Sequence, residues 1–253
     1  MAKYCVNDVV SYADDFLRIL TIPDHPRALN GLQVENSGRL SGIVAAVDAC
    51  QTTIEAAVAS GSSLMVVHHG IFWGGLESLT GRHGRRVRAL VRGDVALYAA
   101  HLPLDCHPEV GNNWVLAREL GIRALAPLDG ARSPVIGVRG HLELTREELV
   151  SRITAVLGME PRVVAAGPLD VRNVALVTGA GVSELPLARA GGADTFITGE
   201  APHHAFIDAE EWGINLVLAG HYATETVGVK ALAGHLSRRF EVDWQFVDHP
   251  TGL

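Results

Sequence analysis

Short apolar, β-branched runs recur along the 253-residue chain, each ending in polar residues or glycine and followed by a stretch of helical periodicity. Residues 8–20 carry an amphipathic pattern and predict a first helix, followed by a turn-rich segment, Pro23-Asp-His-Pro-Arg-Ala-Leu-Asn-Gly-Leu-Gln. Strands are predicted at 43–48, 64–67 and 95–100, with helices at 52–60 and 112–120. The middle of the chain, 136–164, reads as strand, helix, strand, with Thr145 and Glu148 spaced as a capping box and Gly158 as the helix stop. Strands then follow at 173–178, 193–198 and 214–219, and a helix runs from there to about residue 239.

The later strands look like copies of the earlier ones. Asp48 and His68 stand 20 residues apart, as do Thr178 and Thr198, at an offset of 130. His101 to His221 and Asp105 to Glu225 both differ by 120. One half of the chain therefore offers His-x-x-x-Asp after its third strand, and the other offers His-x-x-x-Glu. Alternating strands and helices predict an α/β fold with mainly parallel sheets, in which ligands collect beyond the carboxyl ends of strands. The fold class read from this pattern is α/β with two similar lobes, divided at 1–125 and 126–253, the C-terminal helix packing on the first.

Composition narrows the function classes. Hydrophobic residues make up 48% and charged residues 19%, and no apolar run approaches the roughly 18 residues of a membrane span. The start of the chain shows no basic segment followed by a long apolar one, which predicts a cytoplasmic protein. Cys5, Cys50 and Cys106 lack paired spacing, which argues for reduced thiols and against a cysteine-based zinc site. A net charge of −7 gives no overall attraction for nucleic acid. The local exception is the run 81–92 with its five arginines, where Arg85, Arg88 and Arg92 fall opposite Val87, Leu90 and Val91 on a predicted helix. It reads as a solvated helix face, with an anion-binding rim as the alternative.

The candidate chemistry sits at the strand ends. His68 and His69 close the second apolar run, where strand alternation relaxes as the chain turns, so neighbouring side chains can address neighbouring points. His68, His69, His101, Asp105, His221 and Glu225 offer more donors than one tetrahedral ion needs, and imidazole with carboxylate suits zinc, iron, manganese, cobalt or nickel. Two divalent transition-metal ions per chain fit this set better than one, and hydrolysis is the chemistry that such a pair serves. His221 and Glu225 share a face if a helix begins there; between His101 and Asp105, Pro103 limits the chain to a turn or a first helical turn. The glycine-rich turn Val177-Thr-Gly-Ala-Gly-Val-Ser-Glu has Glu184 where a dinucleotide fingerprint has its third glycine, and reads as a plain βα turn.

Four segments, His68-His69-Gly70, Ala100-His-Leu-Pro-Leu-Asp105, Thr198-Gly-Glu-Ala-Pro-His-His204 and Gly220-His-Tyr-Ala-Thr-Glu225, together resemble the YbgI family of Nif-three-like dinuclear metal proteins, often labelled GTP cyclohydrolase type 2 homologues. The likeness extends over essentially the full chain. It implies two interleaved α/β lobes, a dinuclear metal site in the cleft between them, and a toroidal homohexamer. It further implies that His69 and Asp105 ligate one metal, His68 and His221 the other, and that Glu225 bridges. His101 is left as a ligand or as a group orienting one, and His204 and Glu200 as residues supporting the site or touching substrate. Two functions follow as expectations: a metal-dependent hydrolase of a nucleotide-like or phosphoester substrate, its label pointing to the guanine ring of GTP, or a non-catalytic, metal-stabilised ring that binds a protein or nucleic-acid partner.

Overall fold

The computed structural model describes residues 3–129 and 133–252. In chain order its elements are α1 (Val6–Leu17), β1 (Gly31–Val34), β2 (Ile43–Asp48), α2 (Gln51–Ala59), β3 (Leu64–His69), α3 (Gly81–Gly93), β4 (Ala96–Ala99) and the single turn α4 (Leu102–Asp105). Then come α5 (Asn112–Glu119), β5 (Arg123–Pro127), β6 (Val138–Thr145), α6 (Arg146–Leu157), β7 (Arg162–Val164), β8 (Asp170–Val177), α7 (Leu185–Ala190), β9 (Thr195–Thr198), α8 (His204–Trp212), β10 (Asn215–Leu218), α9 (His221–Phe240) and β11 (Trp244–Phe246). Two compact units result, one made of residues 1–104 and 229–249, the other of 105–228 and 250–253. This division places α5 and β5 with the second unit, and α9 passes from the second to the first after Gly228.

The first unit is built on a five-stranded sheet, ordered β1-β4-β3-β2-β11. Its centre, β2, β3 and β4, is parallel, and the strands are buried on both faces, which explains their unbroken Val, Ala and Leu runs. Register aligns the carboxyl ends: Asp48 lies opposite His69, and Val67 opposite Ala99. α1 begins at Val6, two residues before the expected start, because Asp8 accepts the Cys5 N–H at 2.7 Å and so caps it. Its buried stripe is Val6, Val9, Ala13 and Leu17. α3 forms over the arginine run as predicted, but Val91, expected on the buried face, is 61% exposed; Gly84 and Leu90 make the contact face.

The second unit has a six-stranded mixed sheet, ordered β5-β6-β8-β9-β10-β7, in which β8, β9 and β10 are parallel. One side of its core gathers Leu116, Leu149, Ile153, Leu176 and Ile197, the other Phe196, Leu185, Ala209 and Leu216. The capping box that opens α6 is present, with Thr145 Oγ1 accepting from Glu148 N and Glu148 Oε2 from Thr145 N, and Gly158 ends the helix at φ 75°.

The internal repeat holds for the first strand pair of each unit and shifts in the second. Ala46 pairs Val67, and Leu176 pairs Ile197, both 21 residues apart. Val67 then pairs Ala99, whereas its counterpart Ile197 pairs Val217, 118 residues beyond Ala99. His221 therefore stands four residues past its register position, Val217, where His101 stands two past Ala99. β1, β5 and β11 were not legible in the apolar pattern, because they are short pieces whose ladder partners supply the reason for extension. Among the described residues no helix is long and apolar enough to cross a membrane.

Candidate metal centre

In the first unit, the parallel register brings the ends of β2, β3 and β4 to one edge of the sheet, and three imidazoles gather there. His68, fully buried, and His69 have ring centroids 4.6 Å apart, and His101 lies 5.0 Å and 5.7 Å from them. The adjacent pair thus serves one locus, as the relaxed alternation at a strand end predicts. The ligand atoms of the three residues lie within 4.8 Å of one another.

Each ring is oriented through Nδ1. His68 Nδ1 donates to the Ala100 carbonyl at 2.9 Å, His69 Nδ1 to Asp48 Oδ1 at 2.9 Å, and His101 Nδ1 to Asp24 Oδ1 at 2.8 Å. A carbonyl or a carboxylate can only accept, so Nδ1 carries a proton in all three and Nε2 is the ring nitrogen left to face a metal. Metal-binding histidines are commonly set in this way.

The turn-rich segment before β1 supplies much of this support. Asp24 also accepts from the Leu102 N–H at 3.0 Å and from Asn30 Nδ2 at 2.7 Å, and Asn30 Oδ1 accepts the His101 N–H at 2.8 Å. Burial pushes the Asp24 carboxyl up, but the hydrogen bond and charge of His101, with Asn30 and the His25 N–H, outweigh it and hold it below the usual carboxylate range. Gln33 Oε1 accepts the Ile71 N–H at 2.8 Å, pinning the turn after the two histidines. Trp73 sets its ring edge-on to His101 at 4.9 Å and donates to the Gly70 carbonyl at 3.0 Å, so it walls the triad. No role was predicted for Asp24, and Asn30 and Gln33 stood out only as the ends of Asn30-Gly-Leu-Gln33, part of the family likeness.

In the second unit, His221 and Glu225 open α9 one turn apart and share a face as predicted. His221 Nε2 lies 3.3 Å from Glu225 Oε1, and His221 Nδ1 lies 3.1 Å from Glu200 Oε1. The hydrogen bond to Glu225 raises His221 to about 9 over the opposing effect of burial, and the charge of Glu225 and the hydrogen bond and charge of Glu200 add to it. Two carboxylates here call for positive charge. Glu200, expected either to support the site or to touch substrate, lies against His221. His204 is exposed in the first turn of α8.

Asp105, also buried, is held by a network of its own. Asn112 Nδ2 donates to Asp105 Oδ1 at 2.8 Å while Asn112 Oδ1 accepts the Gly228 N–H at 2.8 Å. Asn113 donates to the Asp105 carbonyl at 3.1 Å and accepts the Thr178 N–H at 2.8 Å. The glycine-rich turn approaches this place so closely that only glycine fits: Gly179 has φ 62°, and a Cβ there would run into Glu225 Oε1. The turn read as a plain βα connection is one, and its glycine makes room for a carboxylate.

The donor set of each unit fits a divalent transition metal. Imidazoles with Nδ1 engaged in the first unit, and a buried carboxylate paired with an imidazole in the second, are nitrogen and oxygen ligands of the type that zinc, iron, manganese, cobalt and nickel take.

A model of the Duf34/NIF3 (NGG1p interacting factor 3) family matches residues 5–251. A Deinococcus radiodurans protein named GTP cyclohydrolase 1 type 2 homolog is 41% identical over 249 residues, covering 98% of this chain and 94% of the relative. Among solved structures, TTHA1606 from Thermus thermophilus superposes with a TM-score of 0.90 at 45% identity, covering 98% of this chain and 99% of that one. The protein ybgI, of unknown function, gives a TM-score of 0.91 at 36% identity with the same coverage.

Proposed function

Since this chain belongs to the Duf34/NIF3 family, we propose that it binds two divalent transition-metal ions and hydrolyses a nucleotide-like or phosphoester substrate. The observation that carries the proposal is the triad of imidazoles whose Nδ1 atoms are all engaged by acceptors, with their ligand atoms within 4.8 Å of one another. In this reading His68 and His69 of the first unit and Asp105, His221 and Glu225 of the second would be the ligands, and His101 would either join them or orient one. When bound, such a pair of ions supplies Lewis acidity and makes water more acidic.

The chain's own residues do the rest. Asp48, Asp24 and the Ala100 carbonyl hold the histidine protons on Nδ1, Glu200 holds His221, and Asn112 fixes the Asp105 carboxylate. Trp73 limits water around His69 and His101. The names of the relatives support GTP as one substrate to try, and the ring-opening they imply is a hydrolysis of the same class. Assembly as a homohexamer belongs to the same reading and is checked by light scattering.

Elemental analysis of purified protein tests the metal reading: about two transition-metal ions per chain are expected, and fewer in H68A and E225A. Metal-loaded protein screened against nucleotides and phosphodiesters tests the activity. Turnover that survives both substitutions would sink it.

A second reading has its own observation. Arg82, Arg85, Arg88 and Arg92 are exposed on α3, and among the described residues none has a carboxylate partner. Such a row would favour a ring that binds a polyanion without turnover where it lines the inner channel, and would mean little facing outward. Binding of DNA or RNA that weakens steeply with salt, with no product formed, would favour it.

A further inference from the structure

The second unit holds a cavity of about 620 Å³ whose wall includes Gly199, Glu200 and Gly220, the residues that carry and precede His221. That volume lies within the range of roughly 300 to 1,000 Å³ usual for small-molecule sites. Glu200 touches both the cavity and His221, so a molecule seated there reaches the candidate centre.

Arg162, at the start of the edge strand β7, supplies the cavity's one guanidinium. It lies over the Phe206 ring, 4.6 Å from the centroid, and among the described residues no carboxylate pairs with it. A guanidinium seated on an aromatic face keeps its in-plane N–H fork for an oxyanion, which it meets with two parallel hydrogen bonds. Met159, Phe206 and Leu218 give the cavity apolar wall, and Glu160 and Glu200 give it acceptors. One oxyanion fork, apolar surface and two carboxylates together match a ligand with a phosphate, a ring body, and hydroxyl or ring N–H donors.

We infer that this cavity is the substrate-binding pocket, that its ligand is a nucleoside phosphate, and that Arg162 is the specificity residue that takes the phosphate. The inference rests on the hydrolytic reading above for the word substrate, but binding itself can be measured without turnover. With two carboxylates in the same cavity, loss of the guanidinium leaves His203 as the one lining side chain able to donate to a phosphate.

The test uses the full chain as purified, with metal content measured on every sample. GMP, guanosine and inorganic phosphate are titrated calorimetrically into the wild type, Arg162→Gln, Arg162→Lys and the remote control Arg172→Gln. Loss of a charge-assisted bidentate contact predicts GMP binding about 10- to 100-fold weaker in Arg162→Gln. Arg162→Lys should recover part of it, guanosine should bind weakly and equally in all variants, and Arg172→Gln should match the wild type. Unchanged GMP affinity in Arg162→Gln, guanosine bound as tightly as GMP, or phosphate alone bound as tightly as GMP would each overturn the inference. Two ions per chain with no Arg162 effect would sink the pocket and leave the metal reading standing. Arg162-dependent GMP binding by a chain that takes up no metal would do the reverse.

Discussion

His69 Nδ1 lies 2.9 Å from Asp48 Oδ1, a bond between the last residues of two neighbouring parallel strands whose register sets them opposite one another. The sheet therefore fixes which nitrogen of His69 holds the proton, and no loop has to close to achieve it. The Asp48 side chain is about one-third exposed.

Asp48→Ala should leave the fold's stability nearly unchanged and weaken metal binding by about 10- to 100-fold, the usual consequence of removing a partner that orients a ligand. Competition with a chromophoric chelator measures it. An affinity equal to the wild type would show that Asp48 does not set the ring.

Asn112→Ala should be costly to stability. Its buried amide joins Asp105 Oδ1 to the Gly228 N–H, so truncation leaves a carboxylate oxygen and a backbone donor without these partners. The expected loss is about 3 kcal/mol, read from urea unfolding. An unchanged midpoint would mean that water replaces both bonds.

Gly179→Ala and Gly192→Ala separate backbone strain from crowding. Both glycines have positive φ, 62° and 80°, but a Cβ at 192 meets nothing within 4 Å, whereas one at 179 meets Glu225. Each should lose about 1–2 kcal/mol from the left-handed backbone. Only the change at 179 should also lower metal uptake, and equal uptake by the two variants would remove Glu225 from the ligand set.

Asp94 supplies a test of acid stability. Ser37 donates to it twice, from Oγ at 2.6 Å and from the backbone N–H at 2.7 Å, and these bonds, against a small opposing effect of burial, hold its carboxyl below the usual range. A folded-state pKa below the unfolded one means that the unfolded chain binds more protons in that interval, so stability falls as pH falls. The contribution is complete above about pH 4, the ordinary Asp value, and is lost as pH drops through the lower folded value. Asp94→Asn, which keeps a residue tolerant of the φ of 53° there, should be less stable than the wild type near neutrality and equal to it once Asp94 is protonated. Parallel stability curves across that range would contradict the assignment.

Much of the candidate site was legible along the chain because its donors follow apolar runs directly, and strand length with a parallel crossover determines where such residues emerge. The run 64–67 announced β3 and with it His68 and His69; the four-residue step from His221 to Glu225 announced a shared helix face. Capping chemistry announced α6, since Thr145 and Glu148 interact within one turn. All of these are local rules, set by one stretch of backbone.

Only the tertiary structure decided the partners. Asp24 and Asn30 reach His101, and Gln33 the turn after His69, from a segment with no periodicity; β1 exists because β4 offers it a ladder, and the two-residue shift between His101 and His221 appears only when strand registers are compared. Hydrogen bonds between residues dozens of positions apart leave no trace in local pattern. The sequence by itself determined which side chains were chemically able to form a metal site and near which strand ends they fall, because alternation and helical pitch are properties of a single segment. Which nitrogen bears the proton, which carboxylate is held and by what amide, depend on how separate segments are brought together.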